Sequence, residues 1–169
     1  MSVAPSRTLR LLAVGLILIS TAGCDQVTKF VAKSFLRPDA LISFAADTFR
    51  LQYAENSGAF LSLGSTLPEP WRHLIFTGLV GLFLAGLISY VLLSRELAMR
   101  QVIYLSLVCG GGLSNLVDRI VYDGQVVDFL NIGIGSLRTG IFNVADMAIT
   151  AGALLLAFDS FRKSPSPIP

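Results

Sequence analysis

Charge is scarce in this sequence. Only 14% of its 169 residues are Asp, Glu, Lys or Arg, against roughly 25% in an ordinary soluble domain. The net charge is +2, with no basic block or aromatic-interleaved basic patch, so nucleic acid is not an expected partner. Cysteine is nearly absent too. Cys24 and Cys109 lie in apolar stretches, where a thiol behaves as a small hydrophobe, and they offer neither a disulfide framework nor a metal-ligand spacing. His73 is the single histidine and has no partner ligand nearby in sequence. No GxSxG and no HExxH occurs, so the usual signatures of serine and zinc hydrolases are missing, and no metal or cofactor is called for. What remains is apolar: 53% of residues are hydrophobic and the mean hydropathy is +0.69. That balance, at this length, predicts one integral membrane domain over residues 1–169.

The apolar segments predict four membrane-spanning helices, over about 9–28, 74–93, 101–118 and 141–159, each near the roughly 20 residues a bilayer requires. The first is marginal, since its apolar run ends at Asp25. Asp25 and Lys29 are spaced for a helical ion pair in the favourable order, which lets the helix continue through them. A basic start followed by Thr21-Ala22-Gly23-Cys24 also looks like a lipoprotein signal peptide, but the remainder of the chain is not a soluble domain. Four spans put both termini on one side. Arg7, Arg10, Arg95, Arg100, Arg162 and Lys163 are then cytoplasmic, as the positive-inside rule asks. Lys29, Lys33, Arg37, Arg50 and Arg72 on the other side fit that rule less well.

Between the spans, Phe49 to Tyr53 alternates like a half-buried strand, and Asn56-Ser57-Gly58 signals a turn. Ala59 to Leu63 is either a partner strand or a segment on the membrane surface. Leu67-Pro68-Glu69-Pro70 breaks regular structure, and Trp71 and His73 suit a headgroup boundary at a helix start. Val117 to Gly140 reads as a loop with strand signals at Val126 to Phe129, and residues 164–169 as a disordered tail.

The polar residues gather in one stretch, Gly110 to Asp146. On a helix Gly111, Asn115 and Arg119 share a face, with Asp118 beside them. Asn143 and Asp146 are three apart, and a helix from Ile141 places Asp146 about 8 Å along its axis. Ionisable groups at membrane depth ask for a functional reason. Asp118 or Asp123 with Arg119 reads equally well as a boundary salt bridge. Asp128 and Asp146 are the candidate chemical pair. Two neighbouring carboxylates share one proton, so one can activate water while the other polarises a carbonyl. Spacing alone does not bring Asp128 to Asp146. The competing class is a transport or ion-coupling protein, against which stands the lack of an inverted repeat or paired broken helices.

Five motifs in order carry a resemblance. They are Asp25-Gln26-Val27-Thr28-Lys29, then Tyr53-Ala54-Glu55-Asn56-Ser57-Gly58-Ala59-Phe60, then Gly110 through Arg119, then Val127-Asp128-Phe129, and Phe142-Asn143-Val144-Ala145-Asp146. Together they resemble the bacterial lipoprotein signal peptidase (signal peptidase II) family. The resemblance implies a mainly α membrane protein, a four-transmembrane-helix bundle with a small extracytoplasmic β-sheet and a loop lobe, in the bacterial inner membrane. It implies an aspartic endopeptidase acting near the outer face on diacylglyceryl-modified prolipoproteins among membrane lipids, with Asp128 and Asp146 catalytic. Asp25, Lys29, Asn56, Gly111, Asn115, Arg119 and Asn143 match positions that shape the site or contact substrate. Ser114 stands where the family commonly has glycine.

Overall fold

In a computed structural model, which describes residues 6–37, 40–58, 64 and 66–162, helices dominate and one small sheet caps them. Helix α1 (Arg7–Phe35) starts at Ser6, whose Oγ accepts from Leu9 N at 3.3 Å. It runs without a break through Cys24, Asp25 and Lys29, so the Thr21 to Cys24 stretch is helix interior. A second long helix spans Glu69–Leu93 and consists of a short α2 (Glu69–Arg72), a π-helical stretch (His73–Leu79) and α3 (Val80–Leu93). Leu67 to Pro70 does not break this helix but begins it. Pro68 is its N-cap and Pro70 occupies its first turn, where a missing N–H costs nothing. Helix α4 (Met99–Val121) follows, and α5 (Val144–Arg162) closes the described chain.

The sheet is antiparallel in the order β1-β2-β3-β4, with β1 at Leu41–Phe44, β2 at Phe49–Asn56, β3 at Val126–Ile134 and β4 at Leu137–Arg138. The alternation at Phe49 to Tyr53 and the valine-rich run before Phe129 are thus both strands, paired to each other with Ala54 opposite Asp128. The β1–β2 turn passes through Ala45, Ala46 and Asp47, all at positive φ. Two of these are alanines, which carry no turn signature, and the hairpin is invisible in the sequence for that reason. Asp47 supplies the missing local bond: its carboxylate accepts from Arg50 Nε and Ser43 Oγ, each at 2.7 Å. The Arg50 hydrogen bond holds that carboxyl well below the usual range. Ala59 to Leu63, Lys163 and the tail lie outside the described residues.

Two apolar cores lie near the two ends of α1. Val14 packs with Val91, Leu97 and Val102, while Ala32 and Leu36 pack with Phe129 of β3. Val14 and Ala32 are about 27 Å apart along the axis. Between them the buried residues of α1 are Asp25 and Lys29. The outward faces are the reverse of a soluble protein: Leu12, Leu16, Ile19, Phe30, Leu82, Phe83 and Leu154 are all exposed.

Three helices among the described residues are long and apolar enough to cross a membrane: Arg7–Phe35, Glu69–Leu93 and Val144–Phe161. Helix α4, the expected third span, is not one of them. It packs against α1, α3 and α5 and buries Ser106, Gly110, Gly111, Ser114, Asn115 and Asp118. A helix wrapped by others has no need of an apolar surface all round. The glycine run serves this position, since an added Cβ would meet Thr21 of α1 at Gly110, Ile149 of α5 at Gly111 and Leu84 of α3 at Gly112.

Arg10, counted among the cytoplasmic positive charges, is buried. Its guanidinium donates to the carbonyls of Val91 and Leu97, each at 3.5 Å, and to that of Ser94. It thereby satisfies the end of α3 and the turn into α4, and a cation there suits the helix dipole. Arg10→Met strips those carbonyls of their donor. The expected loss is about 1–3 kcal/mol, read as a lower thermal midpoint in detergent. An unchanged midpoint contradicts this role.

Candidate active site

Helix α5 starts at Val144, three residues later than expected, because Asn143 caps it instead of continuing it. Asn143 Oδ1 accepts from Asp146 N at 2.9 Å, and Asp146 Oδ2 accepts from Asn143 N at 3.3 Å. This is a reciprocal capping box, and it puts Asp146 in the first helical turn. A third group joins from α1: Asp25 Oδ1 accepts from Ala145 N at 2.8 Å. A buried carboxylate at a helix N-terminus is electrostatically favoured.

Asp25 is fully buried and pairs with Lys29 at 2.6 Å, the predicted i,i+4 bridge. Lys29 also pairs with Asp118 at 2.8 Å and donates to Asn115 Oδ1 at 2.8 Å. Asp118 therefore does not pair with Arg119, as one reading of the sequence had it. It accepts from Gln26 Nε2 at 2.7 Å and from Val127 N at 3.1 Å, which ties α1 and α4 to β3. Ser114, at the position of the family's glycine, is buried and donates to Asp25 Oδ2 at 2.7 Å. Neither Gln26 nor Ser114 is among the candidate site residues read from the sequence. The sequence signal for Ser114 is its four-residue step to Asp118, which puts both on one face of α4; Gln26 carries none beyond its place beside Asp25.

The two candidate carboxylates come from different elements and line one cavity of about 450 Å³. Asp128 comes from β3 and accepts from Asn143 Nδ2 at 2.6 Å and from Asn56 Nδ2 at 3.0 Å. Asp146 comes from α5 and accepts from Asn115 Nδ2 at 2.9 Å. Asn143 touches both. Burial pushes the Asp128 carboxyl up to about 7 and the charge of Asp146 pushes it the same way, while the hydrogen bonds from Asn56 and Asn143 oppose them. Asn56, Asn115 and Arg119 complete the polar end of the cavity, and Phe76, Val80, Ile149 and Leu154 form an apolar wall. A second, apolar cavity of about 350 Å³ lies beside Asp146, against Phe142, Met147 and Ala151.

All nine residues singled out from the sequence are in this assembly. Gly111 makes no polar contact but lets the α5 backbone close on α4 at Ala145. Arg119 donates to Gly58 O at 2.9 Å and to Asn115 O at 3.2 Å, joining α4 to the turn after β2. His73 Nε2 lies 3.9 Å from Glu69, one helical turn before it, and 3.6 Å from Asp123, which only the fold brings near. These three could converge on a metal ion, but they are at the surface and none lines the cavity.

Residues 17–162 match the family profile described as signal peptidase (SPase) II. The chain belongs to the signal peptidase II family. The resemblance carried by the five motifs is borne out, and the protein is a membrane hydrolase of the lipoprotein signal peptidase class. It is 37% identical over 154 residues to the lipoprotein signal peptidase of Syntrophus aciditrophicus, covering 90% of this chain and 92% of that one. It is 40% identical over 151 residues to that of Sphingopyxis alaskensis, covering 86% and 83%. In fold it is similar to a solved structure described as a bacterial membrane enzyme, with a TM-score of 0.75 at 22% identity over 100% of this chain and 99% of that one.

Proposed function

We propose that the protein is an aspartic endopeptidase that removes the signal peptide from diacylglyceryl-modified prolipoproteins, cutting before the lipidated cysteine. One observation carries this reading: Asp128 and Asp146 line a single cavity, each gripped by asparagine amides, in a chain of the signal peptidase II family. The pair shares one proton. The ionised carboxylate takes a proton from water as the water attacks the scissile carbonyl, and the protonated one donates to the carbonyl oxygen. Collapse of the tetrahedral intermediate breaks the C–N bond as the leaving nitrogen takes up a proton. No acyl-enzyme forms and no metal enters the scheme. Asn56 and Arg119 hold the substrate backbone at the polar end of the cavity, and the apolar cavity beside Asp146 receives an acyl chain.

In this reading α4 makes a fourth span at about 101–118, beside spans at 9–28, 74–93 and 141–159, within one domain. Its polar residues face the other helices, not lipid. Both termini are cytoplasmic and the sheet lies outside, so the site stands near the outer face of the bacterial inner membrane, where a signal peptide emerges.

The test is cleavage in detergent of one prolipoprotein with and without its diacylglyceryl group. The lipidated form is cut at the residue before cysteine, and the bare form at least about 100-fold more slowly, because binding energy from the lipid is spent in reaching the transition state. Equal cleavage of both, or of neither, sinks the assignment. The rate falls on the alkaline side as the shared proton is lost, with the limb near the Asp128 value of about 7.

A further inference from the structure

A carboxylate pair works only if its neighbours offer it protons, and a side-chain amide offers a donor on one edge and an acceptor on the other. A half-turn of Asn115 would put its oxygen, not its Nδ2, against Asp146. What prevents this lies on the far side of Asn115. Lys29 Nζ is 2.8 Å from Asn115 Oδ1, and an ammonium only donates, so only an oxygen can face it. Nδ2 is left for Asp146 Oδ1, at 2.9 Å. The same Asn115 oxygen also accepts from Asn143 Nδ2 at 3.1 Å. That amide is thereby turned with its NH₂ towards Asp128 Oδ1, at 2.6 Å, and its oxygen towards Asp146 N.

We infer that Lys29 is a positioning residue for the reaction: it orients Asn115 and, through it, Asn143, so that both amides present donors to the two carboxylates. The inference rests on the aspartate-pair reading above. Lys29 is itself held in place, buried and bonded to Asp25 at 2.6 Å and Asp118 at 2.8 Å. The bond to Asp25 lies within α1, and the bond to Asp118 ties α1 to α4. The third, to Asn115, is the one directed at the site.

Removing Lys29 alone strands two buried carboxylates, so the test pairs Lys29→Met with Asp118→Asn. The trio carries a net −1 before the change (two carboxylates, one ammonium) and −1 after it (Asp25 alone). Buried charge is conserved while the donor facing Asn115 is lost. With the lipidated prolipoprotein, kcat falls about 10- to 100-fold, the scale for groups that orient a functional residue, and KM holds within about twofold. The acidic limb of the pH–rate profile moves up, because an amide oxygen facing Asp146 opposes ionisation. Wild-type kcat and pH profile in the folded double variant overturn the inference while leaving the peptidase reading intact. So does lost activity that appears only in KM with the profile unmoved. If the double variant does not fold, Asn115→Asp decides, since it turns an oxygen to Asp146 in either orientation. A loss of at least about 100-fold in kcat supports the inference, and near-normal kcat overturns it. Failure of the wild type to cleave removes both readings.

Discussion

Asp128→Asn and Asp146→Asn are each expected to lower cleavage by at least about 10⁴-fold while the protein still folds, the loss seen when one member of a catalytic unit is removed. Neither amide can take up or release the proton the reaction moves, and each keeps the size of the side chain it replaces. Folding is checked through a separate signature of Asp128. Its carboxyl sits at about 7 when folded, against an ordinary value of 3.8. Between those values the folded chain holds a proton that the unfolded chain has released, so stability falls as pH rises through the window and levels off above it. The displacement corresponds to up to about 4 kcal/mol. Asp128→Asn lacks this component of the slope. A folded Asp128→Asn protein that cleaves at a normal rate removes Asp128 from the mechanism. One that keeps the full wild-type slope removes burial of its carboxyl as the cause.

Gly111→Ala is the second large effect, and it acts without touching a charge. The added Cβ would fall against the carbonyl oxygen of Ala145 and 2.8 Å from Ile149 Cγ1. Ala145 O is backbone in the first turn of α5, so the clash cannot be relieved by a rotamer change. The helices must part, at a cost of about 1–3 kcal/mol or more. Parting them also lengthens the Asn115–Asp146 bond, now 2.9 Å, and a displacement near 1 Å at a catalytic group can cost about 100-fold in rate. Gly86→Ala in α3 is the control, because nothing lies within 4 Å of its new Cβ. There the change is neutral or stabilising by up to about 1 kcal/mol. Equal thermal midpoints and activities for the two variants rule out the close approach as the reason for glycine at 111.

Much of this was legible one-dimensionally. The uncharged run from Leu74 to Leu93, the alternation from Phe49 to Tyr53 and the i,i+4 step from Asp25 to Lys29 each reflect a local period, and each became the element it implied. Legibility failed where local signals are weak or misleading. The β1–β2 turn runs through alanines, the proline pair at Pro68 and Pro70 starts a helix instead of ending one, and Asn143 stops α5 from beginning at Ile141. Each of these depends on one or two backbone bonds, below the resolution of any hydrophobic pattern.

The sequence by itself determined that the chain lives in a membrane, which residues are too costly in lipid to be idle, and, through its five motifs, the family. Only the tertiary structure decided who meets whom. Lys29 chose Asp118 and Asn115, 89 and 86 residues away in the chain, and Asp128 met Asn143 and the wall of Asp146's cavity. Arg10, in sequence one of several positive charges on the cytoplasmic side, is drawn inside to the end of α3. The physical reason is the same throughout. Hydropathy is a property of single residues and their period, whereas a buried charge is tolerable only beside particular partners, and those are set by how closely the glycines of α4 let its neighbours approach.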